Sequence, residues 1–254
     1  MSHITDSPLP VFLLSFVAVW LSARVGTILR RRRNLAEDAR EDFGVIQAAT
    51  LTLLALIIGF SFSMAISRYD QRKNYEEEEA NAIGTEYIRA DLLAAADGAK
   101  VRTLLTSYLD QRIAFYVTAD TQHLQQIAAA RAQLQTQLWS ALQGPATAQP
   151  TPITALVVAG MNDVLNSQGY TQAAWWNRIP TAAWVLMVLI AVCSNVLVGY
   201  GAKSLKAGAI LHLVLPLMVA ISFALIADID SPRGGVIRVN PQNLVSLADT
   251  LRQH

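Results

Sequence analysis

"GFSFSMAISRYDQR", residues 59–72, decides the reading of this chain. Glycine, two phenylalanines and several serines sit in an apolar run that turns abruptly charged at Arg68, Asp70 and Arg72. The apolar run reaches back to residue 44, and residues 44–67 have the length that about 30 Å of hydrocarbon demands of a helix, roughly 17–25 residues. Two structures fit such a segment, an ordinary membrane exit and the narrow part of a pore, so the rest of the chain has to choose.

Composition sets the class. Of 254 residues 53% are hydrophobic and 15% charged, and the mean hydropathy is positive, which is too apolar for a typical soluble domain. The 20 basic and 19 acidic side chains nearly cancel, so no global charge argues for nucleic acid. A single cysteine, Cys193, excludes an intramolecular disulfide and a cysteine-rich metal site.

The sequence predicts an all-α integral membrane protein with four spans, at residues 9–29, 44–67, 181–200 and 207–227. The first ends in Arg30, Arg31, Arg32 and Arg33 rather than in a small-residue cleavage site, so it reads as a retained anchor. Trp175, Trp176 and Trp184 gather where the third span begins, as interfacial aromatics do. Pro180 suits a helix start, and Pro216 falls inside the fourth span. The expected organisation is a first hairpin (1–67), an extramembrane helical bundle (68–179), a second hairpin (180–228) and a turn-rich tail (229–254).

In the central stretch, residues rich in Ala, Leu, Glu, Gln and Arg favour helix by propensity. Apolar residues recur at helical spacing, as at Leu104, Leu105, Tyr108 and Leu109, and again at Leu124, Ile127, Leu134 and Leu138. "GPATAQPTP", 144–152, interrupts them, and a helix over 153–165 returns the chain toward the membrane.

Catalytic and metal signatures are missing from the sequence. It has no GxSxG, no phosphate-binding glycine loop and no HExxH, so neither an enzyme nor a bound metal or cofactor is expected. "EEEE", 76–79, reads as a solvated face, since consecutive helical residues point about 100° apart and cannot converge on one cation. His212, inside the fourth span, reads as a neutral interior histidine. Charge just outside the membrane is the conspicuous feature. Arg68, Arg72, Tyr75 and Glu79 share one helical face, with Glu86 further along, while Asn81, Thr85 and Arg89 share another. Asp228 and Asp230, followed by Arg233, close the fourth span. Both spans can finish on the same side, so an ion pair joining Arg68 or Arg72 to Asp228 or Asp230 is expected, as a clamp or at the mouth of an ion path.

"IIGFSFSMAISRYD", 57–70, resembles the neck helix of bestrophin channels, in which a Gly-Phe pair precedes an arginine and an aromatic, here Gly59-Phe60, Arg68 and Tyr69. With "EANAIGTEYIRADLL", 79–93, and "DIDSPRGGVIRV", 228–239, the chain is similar to the bacterial bestrophin-like domain family along nearly its whole length. That resemblance implies a homo-oligomer in the bacterial inner membrane, a pentamer by analogy, with second spans around a central pore for ions of unknown identity. By position Ile57, Phe60 and Met64 narrow that pore, and Ser61 and Ser63 soften the neighbouring surface; such apolar rings gate by dewetting. The acidic cluster with which bestrophins bind calcium has no counterpart, so calcium gating is not implied. The alternative is a membrane-anchored sensor, interaction or scaffold protein acting through the helical domain.

Orientation sets two arguments against each other. Bestrophins keep the central domain in the cytoplasm, but here the short loop after the first span opens with four arginines, and such loops are seldom translocated. The charge pattern of the first hairpin predicts an outside amino terminus and an outside helical domain.

Overall fold

A computed structural model describes residues 7–32, 39–202 and 211–253. The side chain of His212, with Lys203, Lys206, Arg33 and Asn34, lies outside the described residues. The chain is helical, with no strand among the described residues: α1 (Pro8–Arg32), α2 (Ala39–Arg89), a 3₁₀ turn (Ala90–Leu92), α3 (Ala95–Val117), α4 (Thr121–Ala148), α5 (Pro152–Trp176), α6 (Thr181–Gly201), α7 (Leu211–Asp230) and α8 (Gln242–Arg252). Four helices are long and apolar enough to cross a membrane. Two compact units emerge, one of residues 1–69 and 178–238, the other of 70–177 and 239–254, and the division falls inside α2, between Tyr69 and Asp70.

In the first unit α1 packs on α6 and α7. Its core is built by Val11 and Val19 of α1, Leu54 and Ala65 of α2, Met187 and Ala191 of α6, and Phe223 and Ile226 of α7. Helices α1 and α6 touch backbone to backbone. A Cβ on Gly26 would collide with the Val196 carbonyl oxygen, and one on Gly199 with that of Ala23. Small residues permit this approach in lipid, where dispersion contacts rather than water expulsion hold helices together. At the end of α6 Arg30 donates through Nη1 to the carbonyls of Gly201 (3.0 Å) and Ala202, capping the helix.

In the second unit α3 packs on α4 and α8, and α4 on α5. Val101, Leu105 and Leu109 of α3 meet Leu138 and Leu142 of α4, Val157 and Met161 of α5 and Leu244 of α8 as its buried apolar residues. Asp120 caps α4 by accepting from the His123 N–H (2.9 Å), and Thr151 caps α5 by accepting from Thr154 N–H (3.2 Å) with Pro152 in the first turn.

Two boundaries differ from expectation. The break at 144–152 is shorter, because Pro145 sits in the last turn of α4, and α5 continues past 165 to Trp176. The tail is turn-rich only to residue 241; beyond it lies the amphipathic helix α8, which belongs to the second unit.

Candidate functional site

Along the apolar part of α2 one side is turned inward and the other is bare. Leu54, Ser61 and Ala65 are buried, and Ile57, Ile58 and Phe62 are half-buried against the core of their unit. Opposite them Leu53, Leu56, Phe60 and Met64 are 45%, 51%, 62% and 42% exposed, and Gly59, Ser63 and Ser67 are exposed as well. A Cβ on Gly59 would meet nothing within 4 Å, so within one chain this glycine faces open space. Of the expected neck residues, Phe60, Ser63 and Met64 thus lie on the bare stripe, Ile57 at its flank and Ser61 on the buried side. Beside the stripe runs an apolar groove of about 620 Å³ between α2 and α7, walled by Leu51, Ala55, Phe62, Leu215 and Met218.

Where α7 ends, two aspartates organise the chain. Asp230, 1% exposed, accepts from Arg68 Nη1 (3.4 Å), from the Ile179 N–H (3.1 Å) and faces Arg178 Nε (3.5 Å). The expected ion pair therefore forms through Arg68 and Asp230, and it also fastens the segment that leads into α6. Asp228 accepts from the N–H groups of Val236 (2.6 Å) and Ile237 (3.1 Å) instead of from an arginine. That fold-back needs a glycine, since a Cβ on Gly235 would collide with the Asp228 carboxylate. Ser231 Oγ accepts from the Gly234 N–H (3.0 Å), and Arg238 Nε donates to the Gly235 carbonyl (2.6 Å). Most polar residues of "DIDSPRGGVIRV" are thereby used in shaping one turn; Arg233 is half-buried there.

In the second unit the reading of "EEEE" as a solvated face is corrected. Glu77 and Glu78 are exposed, but Glu76 and Glu79 are 1% and 0% exposed. A helix turns 100° per residue, so residues three apart return to one side and those between do not. Glu79 receives Arg112 through Nε and Nη2 (3.1 Å), Thr171 Oγ1 (3.3 Å) and Tyr116 Oη (3.5 Å). Burial opposes the charge on Arg112 most strongly, yet the Glu79 carboxylate and its hydrogen bonds outweigh it and hold Arg112 above its ordinary range. Phe115 lies under the guanidinium at 4.6 Å. Glu76 accepts from Asn243 Nδ2 (2.6 Å) and from the Leu244 N–H (2.9 Å), fastening the first turn of α8.

Glu86 is different. It is 0% exposed, and neither carboxylate oxygen has a hydrogen-bond partner; its nearest cation is Arg89 Nη1 at 4.0 Å. Burial pushes it up to about 8, against Arg89 and with help from Asp163. Gly160 of α5 makes room for it, because a Cβ there would collide with both Glu86 Oε2 and Arg89 Nη1. Arg72 is 1% exposed in this unit, and Asp70 is exposed.

The structure thus brings Arg68 to Asp230, but gives Glu79, Glu86 and Asp228 partners or surroundings that sequence reasoning did not name. Arg112, Tyr116, Thr171 and Arg178 were missed. Arg112 was findable, since it falls on the same helical stripe as Leu105, Tyr108, Leu109 and Phe115, where only a buried side chain fits.

Comparison with known proteins follows the same lines. The Bestrophin-like domain family matches residues 9–244. A bacterial bestrophin homologue from Klebsiella pneumoniae, in a singly substituted form, superposes with a TM-score of 0.67 at 13% identity, covering 97% of this chain and 96% of that one. Another structure of a Klebsiella pneumoniae homologue gives 0.65 at 13% identity over 95% and 96%, and a substituted membrane protein gives 0.64 at 12% identity over 95% and 94%. No curated protein matches the chain. An apolar helix bare on one side, an Arg68–Asp230 post at the end of the fourth span, and a family match over most of the sequence agree: the chain belongs to the Bestrophin-like domain family.

Proposed function

We propose that this protein is a homo-oligomeric ion channel in which the bare stripe of α2, with Phe60 and Met64 at its centre, lines a hydrophobic neck. One observation carries the reading. In the most apolar window of α2, 6% of residues are buried within the chain, against 50% for the corresponding window of α7. A span that gives so little of itself to its own fold has its packing partners elsewhere, and a ring of identical second spans supplies them on both sides. Family membership supports the same reading, and Ile57 then flanks the constriction while Ser61 packs behind it. Asp230 with Arg68 holds α2 at the end of the neck, which makes that pair a positioning post. The bacterial inner membrane is the expected location.

Two experiments test this. Native mass measurement in mild detergent counts subunits, with one high-order oligomer, a pentamer by analogy with bestrophins, as the expected species. Reconstitution in planar bilayers then reads current directly. A clean monomer, or a silent bilayer with intact oligomer, supports instead a membrane-anchored sensor or scaffold acting through its helical domain.

On orientation, the four consecutive arginines that close the first span, Arg30, Arg31, Arg32 and Arg33, support an exoplasmic amino terminus and helical unit. Arg30 is occupied in capping α6, which leaves the remaining arginines to carry that argument. A cysteine at Gln122, in a Cys193→Ser background, is expected to react with a membrane-impermeant maleimide on intact cells. Reaction only after lysis, with a cysteine at Asn34 reacting on intact cells, reverses the orientation.

A further inference from the structure

The bare stripe of α2 does not stop where the apolar residues do. Beyond Phe60 and Met64 the steps alternate between three and four residues through Ser67, Gln71, Asn74, Glu78, Asn81 and Thr85 to Ile88, and every one of these side chains is exposed. A mean spacing of 3.5 residues keeps such positions on one line when parallel copies of a helix wind about a common axis. The line is apolar at both ends, Ile88 being 70% exposed, and polar between them.

Its polar part has a selective composition. Five of its side chains, Ser67, Gln71, Asn74, Asn81 and Thr85, are neutral hydroxyls and amides, and Glu78 is the one charge among them. The other exposed charges of this stretch, Asp70, Lys73 and Glu77, fall off the line. Arg72, Glu76 and Glu79 are buried, and Glu79 is taken up by Arg112. Arg89, next to Ile88, is half-buried with Glu86 4.0 Å away. A face that is merely solvated mixes charges of both signs along its length. This one offers neutral groups that hydrate a passing ion without holding it, and a single carboxylate that sets the sign.

With α2 lining the ion path, as proposed above, we infer that Glu78 is the charge-selecting residue. Repeated in every copy around the axis, it forms an acidic ring that admits small monovalent cations and repels anions. Rings of Asp or Glu select cations in this way, since walls of one sign concentrate counter-ions and deplete ions of their own sign.

The test uses the full oligomer in planar bilayers between unequal potassium chloride solutions, with the reversal potential as readout. The unaltered channel should reverse near the potassium equilibrium potential. Glu78→Gln should lower the potassium-to-chloride permeability ratio by about tenfold, and Glu78→Lys should turn the preference to chloride. Glu77→Gln, one residue away but off the line, should change nothing. Native mass measurement checks that each variant keeps the oligomer. An unaltered channel that prefers chloride overturns the assignment without any variant, and so does a reversal potential that both Glu78 substitutions leave in place. An intact oligomer that carries no current overturns the channel reading itself, which tells the two failures apart.

Discussion

Glu79 and Glu86 sit seven residues apart on one side of α2, equally hidden from solvent, and are treated in opposite ways. Glu79 is wrapped by a guanidinium, a tyrosine and a threonine. Glu86 has a cation 4.0 Å away and no hydrogen bond. The contrast shows that burial alone does not decide what a carboxylate does. With donors in place a buried acid locks helices together; without them burial favours its protonated form.

The largest effect expected follows from undoing the first case. Arg112→Met leaves Glu79 as a buried charge without its cation, which costs about 3–5 kcal/mol. For a chain of this size that is a fall of roughly 10 °C in the denaturation midpoint. Adding Glu79→Gln should recover much of the loss. A double variant no more stable than Arg112→Met would mean that lost packing around Phe115, and not the stranded charge, is responsible.

Undoing the second case has the reverse sign. Because Glu86 is held up to about 8, the folded chain binds a proton that the unfolded chain releases, so stability falls as pH rises from the ordinary carboxylate range to about 8. Glu86→Gln removes this dependence. It should match the unaltered protein near pH 5 and exceed it by several degrees at about pH 9. Parallel pH profiles of the two proteins would show that Glu86 is ionised and satisfied after all.

The smallest effect on stability is expected at Phe60, which is 62% exposed. Phe60→Ala should change the stability of the isolated chain by no more than about 0.5 kcal/mol, while widening and wetting the neck so that conductance rises with assembly intact. Loss of the oligomer without any change in residual current would make Phe60 a packing residue between copies.

Much of the fold was legible because its governing signal is crude. Apolar runs of spanning length located the membrane helices, and the lack of proline between Arg68 and Arg89 let α2 be followed past the charged turn. The Arg68–Asp230 pair could be named because both residues end spans separated by two crossings. What stayed hidden depended on which way single side chains point. "EEEE" looks like one acidic patch until its period is applied, when Glu76 and Glu79 fall with the buried Ala80 and Ile83 and the two between them fall outside. Helix α8 was obscured by the turn-forming residues before it, although Leu244 and Ala248, four apart, carry the pattern of a docked face. Arg178 lies in a loop, and nothing in a loop's sequence reveals that a distant aspartate will reach it.

Glu76 gives the carboxyl end of the chain a role in folding. Its carboxylate is met by Asn243 and by the backbone of Leu244, both supplied by the last helix. Trimming the chain before Gln242, as one would trim a tail taken for an ornament, therefore removes the partners of an interior negative charge some 170 positions upstream. A chain shortened in this way is expected to behave as though a core residue had been replaced, with low yield and early proteolysis, while an extension after Arg252 should be tolerated. The family match stops at residue 244, so the shared unit includes the two residues that Glu76 requires.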